Sequence, residues 1–155
     1  MRVHIGGDHA AYELLGELVS FLEAEGHEVT NHGPHTLDPE DDYPVFVLRA
    51  AEAVAADPGS LGVVLGGSGN GEQMAANKVA GIRAALCYNT ELASLAREHN
   101  NAQVISIGGR MNTVDEAKAM VATFLATPFS EAPRHQRRID MVSAYEASGT
   151  LPPRP

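Results

Sequence analysis

The sequence predicts an α/β protein of three layers: a five-stranded parallel sheet with helices on both faces and one extra helix at the C-terminus. Three observations carry this expectation. Five short β-branched or apolar runs recur along the 155 residues. Longer stretches with helical spacing separate them, and glycines stand at the ends of several runs, where a parallel sheet turns from strand to helix.

Residues 2–6 (RVHIG) form the first run. In 11–25, Leu14, Leu15, Leu18, Val19 and Leu22 make one helical stripe, and Gly26 follows as a stop signal. The run 28–32 (EVTNH) is a weaker strand. The stretch HTLDPEDDYP, 35–44, is acidic and turn-rich and is expected to be a surface excursion. Residues 43–56 are helical in spacing, with Val45, Val47, Leu48 and Ala51 ahead of an Asp57-Pro58-Gly59 stop. The run 61–65 (LGVVL) reads as a fully buried strand. Ala- and Leu-rich helices over 71–80 and 90–100 flank a strand at 83–87 (RAALC). The last strand, 104–108 (VISIG), leads to a helix at 113–126 that opens with a Thr113-x-x-Glu116 capping box. A final helix, about 131–148, has no strand after it; it carries an arginine cluster and the apolar Ile139, Val142 and Tyr145. Docking on a partner subunit and packing on its own sheet both fit that pattern. The alternation is Rossmann-like and flavodoxin-like, in one domain over 1–150 with a tail at 151–155.

A formal net charge of −9 argues against nucleic acid and anionic membranes as partners. The apolar runs fall far short of the roughly 18 residues that span a bilayer, and the N-terminus shows no secretory signal. A single cysteine, Cys87, excludes an internal disulfide and fits a cytoplasmic setting. Against this acidic background, Arg134, Arg137 and Arg138 lie close together with His135 among them. Arg134 and Arg138 are four apart, on one helical face, and can converge on a phosphate; a solvated basic face is the competing reading.

In parallel sheets, ligands bind beyond the carboxyl ends of the strands. Candidates there are Asp8-His9, the loop 66–72, the segment after Cys87 and Gly109-Arg110. The loop reads GGSGNG, four glycines in six residues, followed by Glu72. It is not a P-loop, because Glu72 stands where a lysine would be needed. The first strand–helix turn, GGDHAA, lacks the dinucleotide fingerprint. What the glycines do allow is a convergence of backbone N–H groups at a helix N-terminus, a place for negative charge. Glu72 beside it can serve as a helix-dipole complement or as a general base. The second use explains the pair together: a carboxylate takes a proton from carbon, and the amides stabilise the oxyanion that forms. The seven histidines show no metal-ligand spacing, so no metal is expected.

Four segments, GGDHAA, GGSGNGEQMAANKVAGIRAAL, REHNNAQVISIGGRM and RHQRRID, resemble the type B ribose-5-phosphate isomerases. That family includes subunits of galactose-6-phosphate isomerase and relatives acting on allose 6-phosphate. The resemblance runs in order through nearly the whole chain. In one branch of the family a cysteine before the glycine loop is the base; Gly66 stands there in this chain. The sequence is similar to the other branch, in which a glutamate just after the loop takes over, here Glu72. By the same resemblance, Ser68 and the amides of Gly67, Gly69, Asn70 and Gly71 bind the substrate's C1 and C2 oxygens. Asp8 and His99 are both candidates for opening the sugar ring. His9, Arg110, Arg134 and Arg138 match phosphate positions, and Tyr43 and Asn100 match sugar contacts. The resemblance further implies an active homodimer with a site shared between subunits, paired into tetramers in some members, and no metal or other cofactor. Interconversion of D-ribose 5-phosphate and D-ribulose 5-phosphate through a cis-enediolate is the expected reaction. An isomerase of another aldose phosphate and a non-catalytic phosphate- or nucleotide-binding module are the alternatives.

Overall fold

The computed structural model describes residues 1–154. Strand β1 (Arg2–Gly7) is followed by a 3-10 turn (His9–Ala11) and helix α1 (Tyr12–Ala24), then β2 (Glu28–Asn31) and α2 (Tyr43–Ala56). Strand β3 (Leu61–Gly66), α3 (Asn70–Ala76), β4 (Ala84–Leu86), α4 (Thr90–Asn100), β5 (Val104–Gly108), α5 (Val114–Ala126) and α6 (Pro133–Ser148) complete the chain. All five strands are parallel, as expected, and all the expected helices form.

The strand order is β2-β1-β3-β5-β4, so the last two strands exchange places relative to the 2-1-3-4-5 order of flavodoxin. Burial explains the exchange. Every residue of β5 is buried, whereas β4 has three residues and only Ala84 is buried. The apolar run takes the interior position and the short one guards the edge, as β2 does on the other side.

Helices α1, α4 and α5 cover one face, around Ile5, Leu18, Leu65, Ile105, Ile107 and Phe124. Helices α2 and α3 cover the other, around Val47, Val54, Val64 and Val104. Helix α2 lies very close to the sheet: a Cβ at Gly6 would come within 2.8 Å of the Phe46 carbonyl oxygen, and one at Gly62 within 2.8 Å of Val54. That approach alters the stripe expected for α2. Val47 and Ala51 are buried with Ala50 and Val54, but Val45 and Leu48 face outward.

Helix α6 packs on α4 and buries only His135 and Ile139. Met141, Val142 and Tyr145 are exposed, so its apolar set is not spent on the chain's own sheet. No helix among the described residues is long and apolar enough to cross a membrane.

Candidate active site

The carboxyl ends of β1, β3 and β5 lie side by side and release three loops at one end of the sheet. Backbone bonds lace two of them together. Gly109 N–H donates to the Gly66 carbonyl at 2.7 Å and Arg110 N–H to the Gly67 carbonyl at 3.1 Å. The fully buried Ser106 hydroxyl, on β5, donates to the Gly69 carbonyl at 2.7 Å. Gly69 itself has φ +83, and a Cβ there would meet Leu86 at 2.7 Å and the Ile107 carbonyl carbon at 3.1 Å. Only glycine satisfies both demands, so the loop turns tightly into α3. Ser68 Oγ accepts from the backbone and side-chain N–H groups of Asn70, each at 3.2 Å. The N–H groups of Gly67, Ser68 and Gly71 donate to no protein acceptor among the described residues. They are the donors that an oxyanion could engage.

Glu72 falls in the first turn of α3 and is 4% exposed. Its carboxylate lies directly over the Cα of Gly66, so close that a Cβ on residue 66 would overlap it. Position 66 must therefore be bare for this carboxylate to sit where it does. Burial raises the Glu72 pKa above its ordinary value; the N–H groups of Glu72 and Gly69 pull it down, and the charge of nearby Asp8 adds to the rise. An ionisable group so placed, protected from water and poised toward neutral pH, is suited to abstract a proton from carbon.

Asp8 is 7% exposed and caps the 3-10 turn, its Oδ1 accepting from Ala10 N–H at 3.0 Å. Burial is the main cause of its raised pKa. His9 stands next to it, and Arg110 extends over Gly67, with Nη1 3.6 Å from the site of a Cβ there. Tyr43, the first residue of α2, presses its ring on Gly71, where a Cβ would come within 2.8 Å of the phenol oxygen. Nine of the fourteen expected residues thus gather with Glu72 at the carboxyl end of the sheet: Asp8, His9, Tyr43, Gly67, Ser68, Gly69, Asn70, Gly71 and Arg110.

The other four do not join them within one chain. Helix α4 starts at the carboxyl end of β4 and runs back for 11 residues, about 16 Å. His99 and Asn100 therefore sit at the opposite edge of the sheet, where Arg83, just before β4, donates to the Asn100 carbonyl at 2.8 Å. Arg134 and Arg138 of α6 gather at that same edge. The rings of His99 and His135 stack with centroids 4.3 Å apart. Arg134 Nε donates to His135 Nε2 at 3.3 Å, which leaves Nδ1 as the protonated nitrogen, donating to Ser130 Oγ at 2.8 Å. Burial accordingly lowers the His135 pKa.

Three features escaped the sequence reading. Ser106 was visible only as a hydroxyl inside an apolar strand. The clearance at Gly66 depends on a contact six residues away. The acidic loop 35–44 is mostly exposed, as expected, but Asp41 turns inward: its Oδ1 accepts from His9 Nδ1 at 2.7 Å and from His9 N–H at 2.9 Å. Asp8, His9 and Asp41 bring three potential ligand atoms within 4.8 Å of one another, a closeness for which these hydrogen bonds and the cap at Ala10 account.

Cys87 follows β4, is 1% exposed, and burial pushes its thiol up to about 12. It is inert at neutral pH. Cys87→Ala is expected to keep kcat/KM within about twofold of wild type, as a steady-state assay would show; a collapse of turnover would give the thiol a role that its burial denies it.

The family described as Ribose/Galactose Isomerase matches residues 3–142. Ribose-5-phosphate isomerase B of Mycobacterium tuberculosis is 57% identical over 155 residues, covering 100% of this chain and 96% of that protein. Ribose-5-phosphate isomerase B of Escherichia coli is 35% identical over 145 residues, covering 94% and 96%. Among solved structures, ribose-5-phosphate isomerase B of Clostridium thermocellum superposes with a TM-score of 0.92 at 39% identity, over 97% of this chain and 100% of that one. The Mycoplasma genitalium enzyme, solved with bound ribulose-5-phosphate, gives 0.91 at 36% identity over 95% and 97%. In sequence along its whole length and in fold, the chain belongs to the ribose/galactose isomerase family.

Proposed function

We propose that this protein interconverts D-ribose 5-phosphate and D-ribulose 5-phosphate, with Glu72 as the base. The observation that supports this most is the buried Glu72 carboxylate beside free N–H groups of the glycine loop. Once the sugar ring is open, Glu72 takes the C2 proton, and the C2–C1 bond gains double-bond character as the electron pair moves onto the carbonyl oxygen. The amides of Gly67, Ser68 and Gly71 stabilise that oxygen as the cis-enediolate. With the hydroxyl proton of O2 passing to O1, the protonated Glu72 then returns its proton to C1, and C2 becomes the carbonyl carbon of the ketose. One carboxylate serves both carbons because they share one face of a planar intermediate. Asp8 and His99 are the candidates for opening the ring, and His9 and Arg110 take the phosphate with Arg134 and Arg138. Tyr43, Ser68 and Asn100 hold the sugar.

The separation of His99, Asn100, Arg134 and Arg138 from Glu72 supports a two-fold dimer in which each chain lends these residues to the other's cleft. The exposed Met141, Val142 and Tyr145 of α6 and Val45 and Leu48 of α2 are the apolar surface available for it. A cytoplasmic setting, expected from the single cysteine, belongs to the same reading.

Isomerisation of ribose 5-phosphate by the purified protein in the presence of a chelator tests the activity. A panel of aldose phosphates compared by kcat/KM tests the substrate; turnover of none of them would refute the reading. Mixing two inactive variants tests the shared site. Glu72→Gln and Arg134→Ala/Arg138→Ala chains, dissociated and reassociated together, are expected to recover about a quarter of wild-type activity, since half the dimers then carry one intact site. A mixture as inactive as its components would count against sharing.

A further inference from the structure

Asp41 takes no part in proton transfer at Glu72, yet it is the one member of the acidic loop 35–42 that turns inward. Its side chain is 8% exposed. Oδ1 receives two donors, both from His9, and Oδ2 is buried with no partner among the described residues. A carboxylate only accepts, so the ring's Nδ1 must carry a proton. The ring is thereby fixed, and Nε2 is left without a protein partner among the described residues. Asp41 also stands two residues before Tyr43, so the same contact ties the loop at β1 to the N-terminus of α2.

We propose that Asp41 is a positioning residue for the anionic end of the substrate: it holds the His9 ring with Nδ1–H turned inward and keeps Nε2–H available as a donor to the phosphate. This rests on the proposed role of His9 at the phosphate. The chemistry favours such a carboxylate even in an anion site. A neutral His9 with its proton on Nδ1 would offer the phosphate a lone pair from Nε2, and the contact would be repulsive. A protonated His9 offers a donor, and a buried carboxylate with an otherwise unpartnered oxygen favours the protonated ring. The charged groups facing His9 are Asp41, Asp8 and Arg110; the hydrogen bond to Asp41 is the leading cause of the raised His9 pKa, Asp8 adds to it, and burial and Arg110 oppose it.

The test uses Asp41→Asn and inorganic phosphate as the probe, with affinity measured calorimetrically from about pH 6 to pH 8. The phosphate's own titration is common to both proteins, so the ratio of their affinities is the quantity read. Near pH 6, where solvent protonates His9 in either protein, the ratio is expected to lie near one. By pH 8 the variant should bind about tenfold more weakly, because its His9 has lost the proton. A ratio that does not change with pH, whether one or larger, would mean a merely structural contact and would overturn the proposal. Binding of phosphate needs no turnover. A protein that fails to isomerise any aldose phosphate but keeps this pH-dependent ratio would refute the proposed function and leave the Asp41–His9 pair standing. Should Asp41→Asn fail to fold, the wild-type His9 ring can be titrated by NMR, its signals identified by their loss in His9→Gln. Titration above the ordinary histidine value of about 6.5 supports the pairing, and titration at or below it overturns the proposal.

Discussion

Glu72→Gln is expected to lower kcat/KM for ribose 5-phosphate by about three orders of magnitude, with the fold intact and phosphate binding retained. A positioned general base contributes about 10²–10⁴-fold, and in the proposed mechanism the same group acts at both C2 and C1. Glutamine preserves the volume over Gly66 and the first turn of α3, so the loss isolates proton transfer. The pH dependence gives a second readout. Burial raises the folded pKa of Glu72 above its ordinary value of 4.5. If only the ionised form is active, as the proposed mechanism requires, the acidic limb of the wild-type kcat/KM profile should lie above that value. Stability follows with the opposite sign. A raised folded pKa contributes stability that is present below the unfolded value and is lost as pH rises through the folded one. At neutral pH the buried carboxylate is therefore a burden on the fold. Glu72→Gln should be at least as stable as wild type in urea at pH 7, with the difference vanishing on acidification. A variant that is inactive because it is unfolded would contradict this on the denaturation curve alone.

Gly66→Ala has the second largest expected effect, and it touches no ionisable group. The added methyl would overlap the Glu72 carboxylate. That carboxylate is the far end of a flexible side chain, so the protein can fold by swinging it aside. The displaced base then no longer meets the C2 proton, and a misplacement of about 1 Å can cut the rate by about 10²-fold. Because the damage passes through Glu72, it should not add to the loss of Glu72 itself. In a Glu72→Gln background, Gly66→Ala is expected to change kcat/KM by about threefold or less. Fully multiplicative losses would mean that Gly66 matters for some reason other than clearance. The same geometry gives a physical basis for the two branches implied by the resemblance: a side chain at 66 and a carboxylate from 72 compete for one volume.

Much of the fold was legible in the sequence because its cues are local. Apolar runs such as LGVVL and VISIG declare buried parallel strands, and the Thr113–Glu116 capping box forms as expected, with Thr113 N–H donating to Glu116 at 2.9 Å. The exchange of β4 and β5 was not legible, since strand order is decided by which run is buried on both faces, a global comparison. The gathering of Asp8, the glycine loop and Arg110 was legible for a similar local reason: all sit just beyond the carboxyl ends of strands. The contacts that brace these residues were not. Asp41 meets His9 across 32 residues of chain and looked like one more surface acid. Ser106 braces Gly69 from 37 residues away. Neither spacing carries a periodicity or motif. The resemblance groups His99 and Asn100 with Glu72, whereas the direction of α4 sends them to the far edge of the sheet, and the proposed dimer is what would bring them back.

In the proposed mechanism Glu72 removes the C2 proton inside the glycine cradle. The most direct measurement is NMR of ribose 5-phosphate incubated with the protein in deuterated water, following loss of the C2 proton signal together with ketose formation. The wild-type protein is expected to form ribulose 5-phosphate and to introduce solvent deuterium, whereas Glu72→Gln, at equal occupancy by substrate, does neither within about a thousandfold longer time. Exchange at C2 by Glu72→Gln at a rate near that of wild type would show that another group takes the proton.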